Sequence, residues 1–238
     1  MGKLEFTEVP EEGLEEMIKL EYDVFNARGF IDEESQNEKN GHCISYYKKF
    51  SDRSLFYGVY NNNGNNKELV AWSRIIFPSK GVLDDFRERK RNYANSQIYQ
   101  GNEGNNKKIS RKCFQTTSDF EVFGQYRKLI YDEIKQNEII EIGTIGPKEA
   151  NLDGIRALRL LNAGMIHELH EIGGFDYAIA SIDEKAKGFF KDKFYPGMLE
   201  IGEKKYYMGS NTIPILIGFR DYEPTKAIRK YFDEVRAK

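Results

Sequence analysis

The chain has 238 residues, and its 36 Lys and Arg nearly balance 38 Asp and Glu, for a formal charge of −2. So even a balance argues against a surface dedicated to nucleic acid, and 39% hydrophobic with 13% aromatic residues supplies a core that a disordered chain lacks. Cys43 and Cys113 make neither a disulfide framework nor a paired metal motif, and no apolar run approaches bilayer length. With no apolar signal core in Met1 to Gly13, the expectation is a cytoplasmic protein without an integral membrane segment.

Lys3 to Val9 reads as a strand. Leu14, Met17, Ile18, Tyr22 and Phe25 recur at helical spacing, so Glu11 to Ala27 is expected to be a helix that Gly29 ends. Ile31 to His42 is polar and reads as a loop. Two strands follow, Leu55 to Tyr60 and Leu69 to Phe77, joined by an Asn/Gly-rich hairpin linker, Asn61 to Asn66. Residues 79–117 read as insertion-like, with a charged helical piece at Phe86 to Arg91 and a polar loop at Gly101 to Asn106. The basic run Arg87, Arg89, Lys90, Arg91 reads as a solvated helix face. Ser118 or Asp119 is expected to cap one helix carrying Val122, Phe123, Tyr126, Leu129, Ile130 and Ile134.

The second half is more regular. Glu138 to Ile145 is an apolar strand, Leu152 to Ile172 a helix stopped by Gly173-Gly174, and Phe175 to Ile182 a strand. Asp183 caps a short helix through Phe190. Strands near Met198 to Met208 and Ile213 to Phe219 precede a last helix with Ile228, Tyr231, Phe232 and Val235. No repeat or long linker divides the chain, so residues 1–238 are expected to form a single α/β (α+β) domain around a mixed sheet.

The residues offer few ready-made sites. There is no G-x-S-x-G elbow, no Walker loop and no H-E-x-x-H. His167 and His170 share a helix face, but no third ligand accompanies them, and no metal is expected. The stretch Ile139 to Leu161 is the most informative. An apolar strand runs into a polar turn, and Gly154 opens a helix whose first N–H groups suit a phosphate. Glu141 lies between Ile140 and Ile142, where a carboxylate is costly unless it is paired, hydrated or functional. Arg74 lies on another apolar strand. It reads either as a bidentate holder of a substrate carboxylate or as the structural partner of Glu141.

The order strand, phosphate-type turn, long helix, strand, short helix, strand, strand resembles the GNAT acyltransferase superfamily. Asn151-Leu152-Asp153-Gly154-Ile155-Arg156 stands at the turn that cradles pyrophosphate there. Gly154 is its strict match, Asn151 stands at the basic or amide position and Arg156 at the last small one. Phe190 sits where many members keep a tyrosine acid. Leu20 to Phe25 with Gly29-Phe30, then Leu69 to Ile76, Glu141 to Thr144 and Gly209 to Ile217, resemble long-chain N-acyl amino acid synthases and acyl-homoserine-lactone synthases. Glu21 and Gly143-Thr144 depart from the lactone synthases, which usually carry arginine and Ser-Arg there.

The resemblance implies a mostly antiparallel sheet of six or seven strands flanked by helices. A V-shaped cleft should open between the strands near Glu141 and Tyr177. It implies transfer of an acyl group from acyl-CoA or an acyl carrier protein to a small-molecule amine, with an amino acid as one candidate. Glu141 would act as base through water or orient substrate, and Arg74 would join it. The backbone of Ile142, Gly143, Thr144 and Ile145 would pair with the pantetheine arm as an added strand does. Asn151, Gly154, Ile155 and Arg156 would meet the donor phosphate. Phe25, Phe30 and Trp72 would line an acyl tunnel or else serve the core. An acetyl-CoA-dependent acetyltransferase and a non-catalytic ligand-binding protein of the same fold are the alternatives.

Overall fold

The computed structural model describes residues 2–30, 48–64, 66–96, 107–207 and 209–237. The expected loops at Ile31 to His42 and Gly101 to Asn106 lie outside them. The described residues begin with β1 (Lys3–Glu8) and α1 (Leu14–Ala27), whose apolar stripe buries Met17 and Val24. The hairpin β2 (Ser54–Asn63) and β3 (Asn66–Ile76) runs further into the Asn-rich linker than the hydrophobic pattern predicts. Backbone pairing to Asn63 and Asn66 extends it, with Gly64 at φ +66 in the turn.

Helix α2 (Lys80–Ala94) is capped by Ser79 and buries Val82, Leu83 and Phe86 in the main core, so this part of the insertion-like segment is a structural layer. The single helix expected after Ser118 is not formed. Instead α3 (Gln115–Asp119) stops, Phe120 extends, and α4 (Gly124–Lys128) continues into a π-type turn. Tertiary pairing causes the break: Val122 bridges Gly202, and the Phe123 N–H bonds the Ile201 carbonyl at 2.7 Å.

The remaining elements are β4 (Ile139–Pro147), α5 (Leu152–Ile166), β5 (Tyr177–Asp183), α6 (Glu184–Lys193), β6 (Leu199–Glu200), β7 (Lys205–Tyr207), β8 (Ser210–Gly218) and α7 (Arg229–Arg236). The expected strand near Met198 to Met208 splits into β6 and β7, which raises the sheet to eight strands among the described residues. The order is β1-β2-β3-β4-β5-β8-β6, with β7 also on β8, and β4–β5 is the parallel pair in an otherwise antiparallel sheet.

Alternation along the strands gives the sheet two apolar faces. Ile140, Ile142, Ala178, Ala180, Ile215 and Ile217 pack under α5, α2 and α7. Ile139, Ile179, Leu216 and Ile76 face Phe114, Val122, Ile130 and Ile134 on the other side. Beside them α1 covers Tyr60, Leu69 and Trp72. No helix among the described residues is long and apolar enough to cross a membrane.

Candidate active site

The site begins with an irregularity in β4. Arg74 pairs with Thr144 but Ile75 pairs with Ile142, which leaves Gly143 as an extra residue, a β-bulge. Up to that point β4 and β5 pair in parallel, Ile139 with Tyr177 through Ile142 with Ala180. Beyond it β4 stays with β3 as far as Pro147, while β5 stays with β8 as far as Asp183. The two strands part, and the gap holds a cavity of about 450 Å³, within the range of small-molecule sites.

Its floor is apolar, formed by Ile142, Ala180, Ile215 and Ile217, with Phe190 from α6 and Leu158 from α5. Phe25 and Phe30, in edge-to-face contact at 5.8 Å, close the α1 side. That wall meets the β7–β8 turn at Gly209, where φ is +77 and a Cβ would press on the Phe30 backbone. Gly143, Thr144 and Ile145 line the β4 edge, and Thr144 Oγ1 is buried with no hydrogen-bond partner among the described residues. Arg28, Asp183 and Lys185 stand at the mouth, and Tyr207 on the β7 side.

Glu141 and Arg74 share the opposite face of the sheet, both fully buried, and neither lines the cavity. The Glu141 carboxylate accepts from Thr116 N–H and Oγ1 through Oε1, at 2.7 and 2.6 Å, and from Gln115 N–H through Oε2 at 2.7 Å. Burial raises its pKa. The Thr116 and Gln115 bonds and the Arg74 charge pull the other way without cancelling it. The Arg74 Nε donates to Ser54 Oγ at 3.1 Å. Through α3 the Glu141 carboxylate connects to the cavity wall. The Gln115 side chain donates to the Asp119 carboxylate and, at 3.1 Å, to Tyr207 Oη, and Tyr207 donates to Asp119 Oδ2 at 2.7 Å.

Several solved structures share the fold over most or all of the chain. FeeM, an N-acyl amino acid synthase from uncultured soil microbes, is 12% identical with a TM-score of 0.51, covering 100% of this chain and 99% of that one. The C-terminal condensation domain of Ebony, in complex with beta-alanyl-dopamine, is 10% identical with a TM-score of 0.55, covering 92% and 100%. BjaI, a CoA-dependent acyl-homoserine lactone synthase, is 12% identical with a TM-score of 0.50, covering 98% and 87%. The chain has the fold that these three structures share. No protein-family model matches it, and no curated protein matches it in sequence.

Within this fold, the cleft gathers Phe25, Phe30 and Ile142 to Ile145 but leaves the α5 start outside its lining. The N–H groups of Asp153 and Gly154, expected to meet a phosphate, bond the Asn151 side-chain oxygen at 3.0 and 2.9 Å. The Ile155 N–H bonds the Asn151 carbonyl at 3.0 Å, and Arg156 turns back to Asp153 at 3.3 Å. Asparagine is a strong N-cap, so the residue that replaced the basic position fills the anion site itself. A Cβ at Gly154 would overlap the Glu149 carbonyl oxygen, so this glycine answers a contact within the chain.

Trp72 also lies outside the cavity lining. It belongs to the core under α1, where its indole N–H donates to Glu21 at 2.7 Å. The pairing explains the buried carboxylate of α1. His167 Nδ1 meets Glu171 at 2.7 Å, and His170 Nδ1 meets the Phe175 carbonyl at 2.8 Å. Tyr195 lines the cavity with its ring, but its hydroxyl donates to Asn162 of α5. Sequence reading missed Arg28, Tyr195 and Tyr207. Isolated tyrosines and a helix-end arginine carry no periodic or motif signal. Only the Gly209 hairpin hinted that β7 would reach the site.

Proposed function

We propose that this protein is an N-acyltransferase that moves an acyl group from a pantetheine thioester to the amine of a small molecule. The observation that carries the reading is the splay of β4 from β5 at the Gly143 bulge, with an apolar cavity between them. From Thr144 on, no strand among the described residues pairs with the edge of β4 that faces β5, which suits an extended amide-bearing arm laid in as a strand. The apolar floor suits the acyl chain, and the Thr144 hydroxyl offers a polar contact to the donor. The reaction forms a C–N bond at the thioester carbonyl and breaks the C–S bond. The cleft's contribution is to hold both partners and exclude water.

The self-capped start of α5 favours a donor that brings one phosphate, as a carrier protein's pantetheine does, over the pyrophosphate of coenzyme A. The known names among structures of this fold, an N-acyl amino acid synthase and a lactone synthase, accord with an amine acceptor. Glu141 is assigned as a residue that fixes α3, with Arg74 beside it; neither need touch substrate.

The test is thiol release from acyl-CoA and acyl carrier protein thioesters of graded chain length, with and without a panel of amines. Amine-dependent release that favours longer chains and the carrier protein is expected. Release from acetyl-CoA alone would convert the reading to an acetyltransferase. No release from any donor would leave a ligand-binding protein of this fold.

A further inference from the structure

Resting on the acyl-transfer reading, we infer that Tyr207 is a catalytic residue, taking the amine's proton while passing its own to Asp119. The geometry sets the polarity of this wall. Tyr207 Oη gives its hydrogen to Asp119 Oδ2 at 2.7 Å and accepts from Gln115 Nε2 at 3.1 Å. A hydroxyl whose hydrogen is already committed can only accept from the cavity side. The substrate group that meets it must therefore be a donor, which suits an attacking amine and not the thioester carbonyl.

The pieces are held firmly. The Tyr207 ring packs edge-on against Phe120 at 5.3 Å, and the Lys205 ammonium sits 5.4 Å from the ring centre. Gln115 and Asp119 are four apart on α3, so they share a face. Glu141 pins that helix by its first N–H groups, which makes Glu141 and Gln115 positioning residues for the pair. Burial, then the Asp119 bond, raises the Tyr207 pKa, so the phenol holds its proton until another replaces it.

In the step, the amine nitrogen bonds the acyl carbon as its proton moves to Tyr207 Oη and the phenolic proton moves to Asp119. The C–S bond breaks with its electron pair on sulfur. The proton then leaves Asp119 through Tyr207 to the thiolate, which restores the carboxylate. This role fills the gap left by Phe190, and it uses no part of Tyr195, whose hydroxyl is tied to α5.

The experiment compares wild type, Tyr207→Phe and Asp119→Asn in steady-state acyl transfer to a common amine, with melting temperatures on the same samples. Tyr207→Phe is expected to lower kcat about 10²-fold at neutral pH, with the thioester KM unchanged. Both variants should regain rate with an added small general base such as imidazole, to which wild type responds little, because the external base then takes the proton that the relay would carry. Wild type without turnover would sink the acyl-transfer reading and this role together. An active wild type with an equally active Tyr207→Phe would sink this role alone. So would a loss of rate that matches a fall in melting temperature and that an added base does not restore.

Discussion

The two halves of β4 differ in what satisfies them. From Ile139 to Ile142 the strand pairs with β5, Glu141 and Ile142 pair with β3 as well, and the side chains are buried on both faces. From Thr144 to Pro147 its strand partner among the described residues is β3, and Gly143 to Ile145 line the cleft. One bulged residue separates a stretch whose contacts are internal from one that presents backbone and side chains to a ligand. A buried carboxylate in the first half is therefore no guide to chemistry by itself. Glu141 is satisfied by α3, and among the described residues its hydrogen-bonded link to the cleft wall runs through Gln115, Asp119 and Tyr207.

The comparison can be broken most sharply by truncating one isoleucine in each half. Ile140→Ala, beneath α5, should cost about 2–5 kcal/mol in urea unfolding, because a packed site cannot collapse fully around the void. Ile145→Ala, on the cavity wall, should change stability by less than about 1 kcal/mol and shift the preferred acyl length instead. Equal losses of stability would erase the distinction.

Gly154→Ala tests whether the glycine that opens α5 serves the chain or a ligand. The added Cβ meets the Glu149 carbonyl oxygen, so stability should fall by about 1–3 kcal/mol or more with no donor present. An unchanged melting temperature with weakened donor binding would return Gly154 to the donor site.

Glu141→Gln sets an amide NH₂ against one of the N–H groups now bonded to the carboxylate, which should cost about 1–3 kcal/mol. Its pH dependence has a definite sign. The folded pKa is raised above the ordinary 4.5, so the native state keeps a proton that the unfolded chain gives up. Wild-type stability should fall as pH rises from about 4.5 through the folded pKa, then level off, and the glutamine variant should lack that limb. Melts between pH 4 and 8 on both proteins read it directly.

The smallest effect is expected from Asn151→Gly. Glycine tolerates the cap position, so the loss should be a few tenths of a kcal/mol. The N–H groups of Asp153 and Gly154 would then be exposed, and affinity for coenzyme A esters should rise. Unchanged affinity would mean that phosphate does not reach the start of α5.

Much of this was legible in the chain. Phe25, Phe30 and the strand edge after Ile142 were placed in the cleft by their resemblance to known synthases, and Asp183 does cap α6 at 2.6 Å. Trp72 was legible as tunnel wall or, more often for such aromatics, as core, and its bond to Glu21 decides for the core. The broken helix after Ser118 was hidden. Its apolar spacing is helical, yet a bridge to Gly202, some eighty residues on, outweighs that local preference. Asn151 shows the limit of motif reading, since one side chain in the right place can imitate the ligand.

By itself the sequence determined the order and type of the main elements, because periodicity, caps and glycine stops act within a few residues. Only the tertiary structure decided where β4 leaves β5, which face Glu141 occupies and what reaches the cavity wall. Those outcomes depend on strand register, where a shift of one residue turns every side chain to the other face, and on the meeting of α3 with β7 across the cleft.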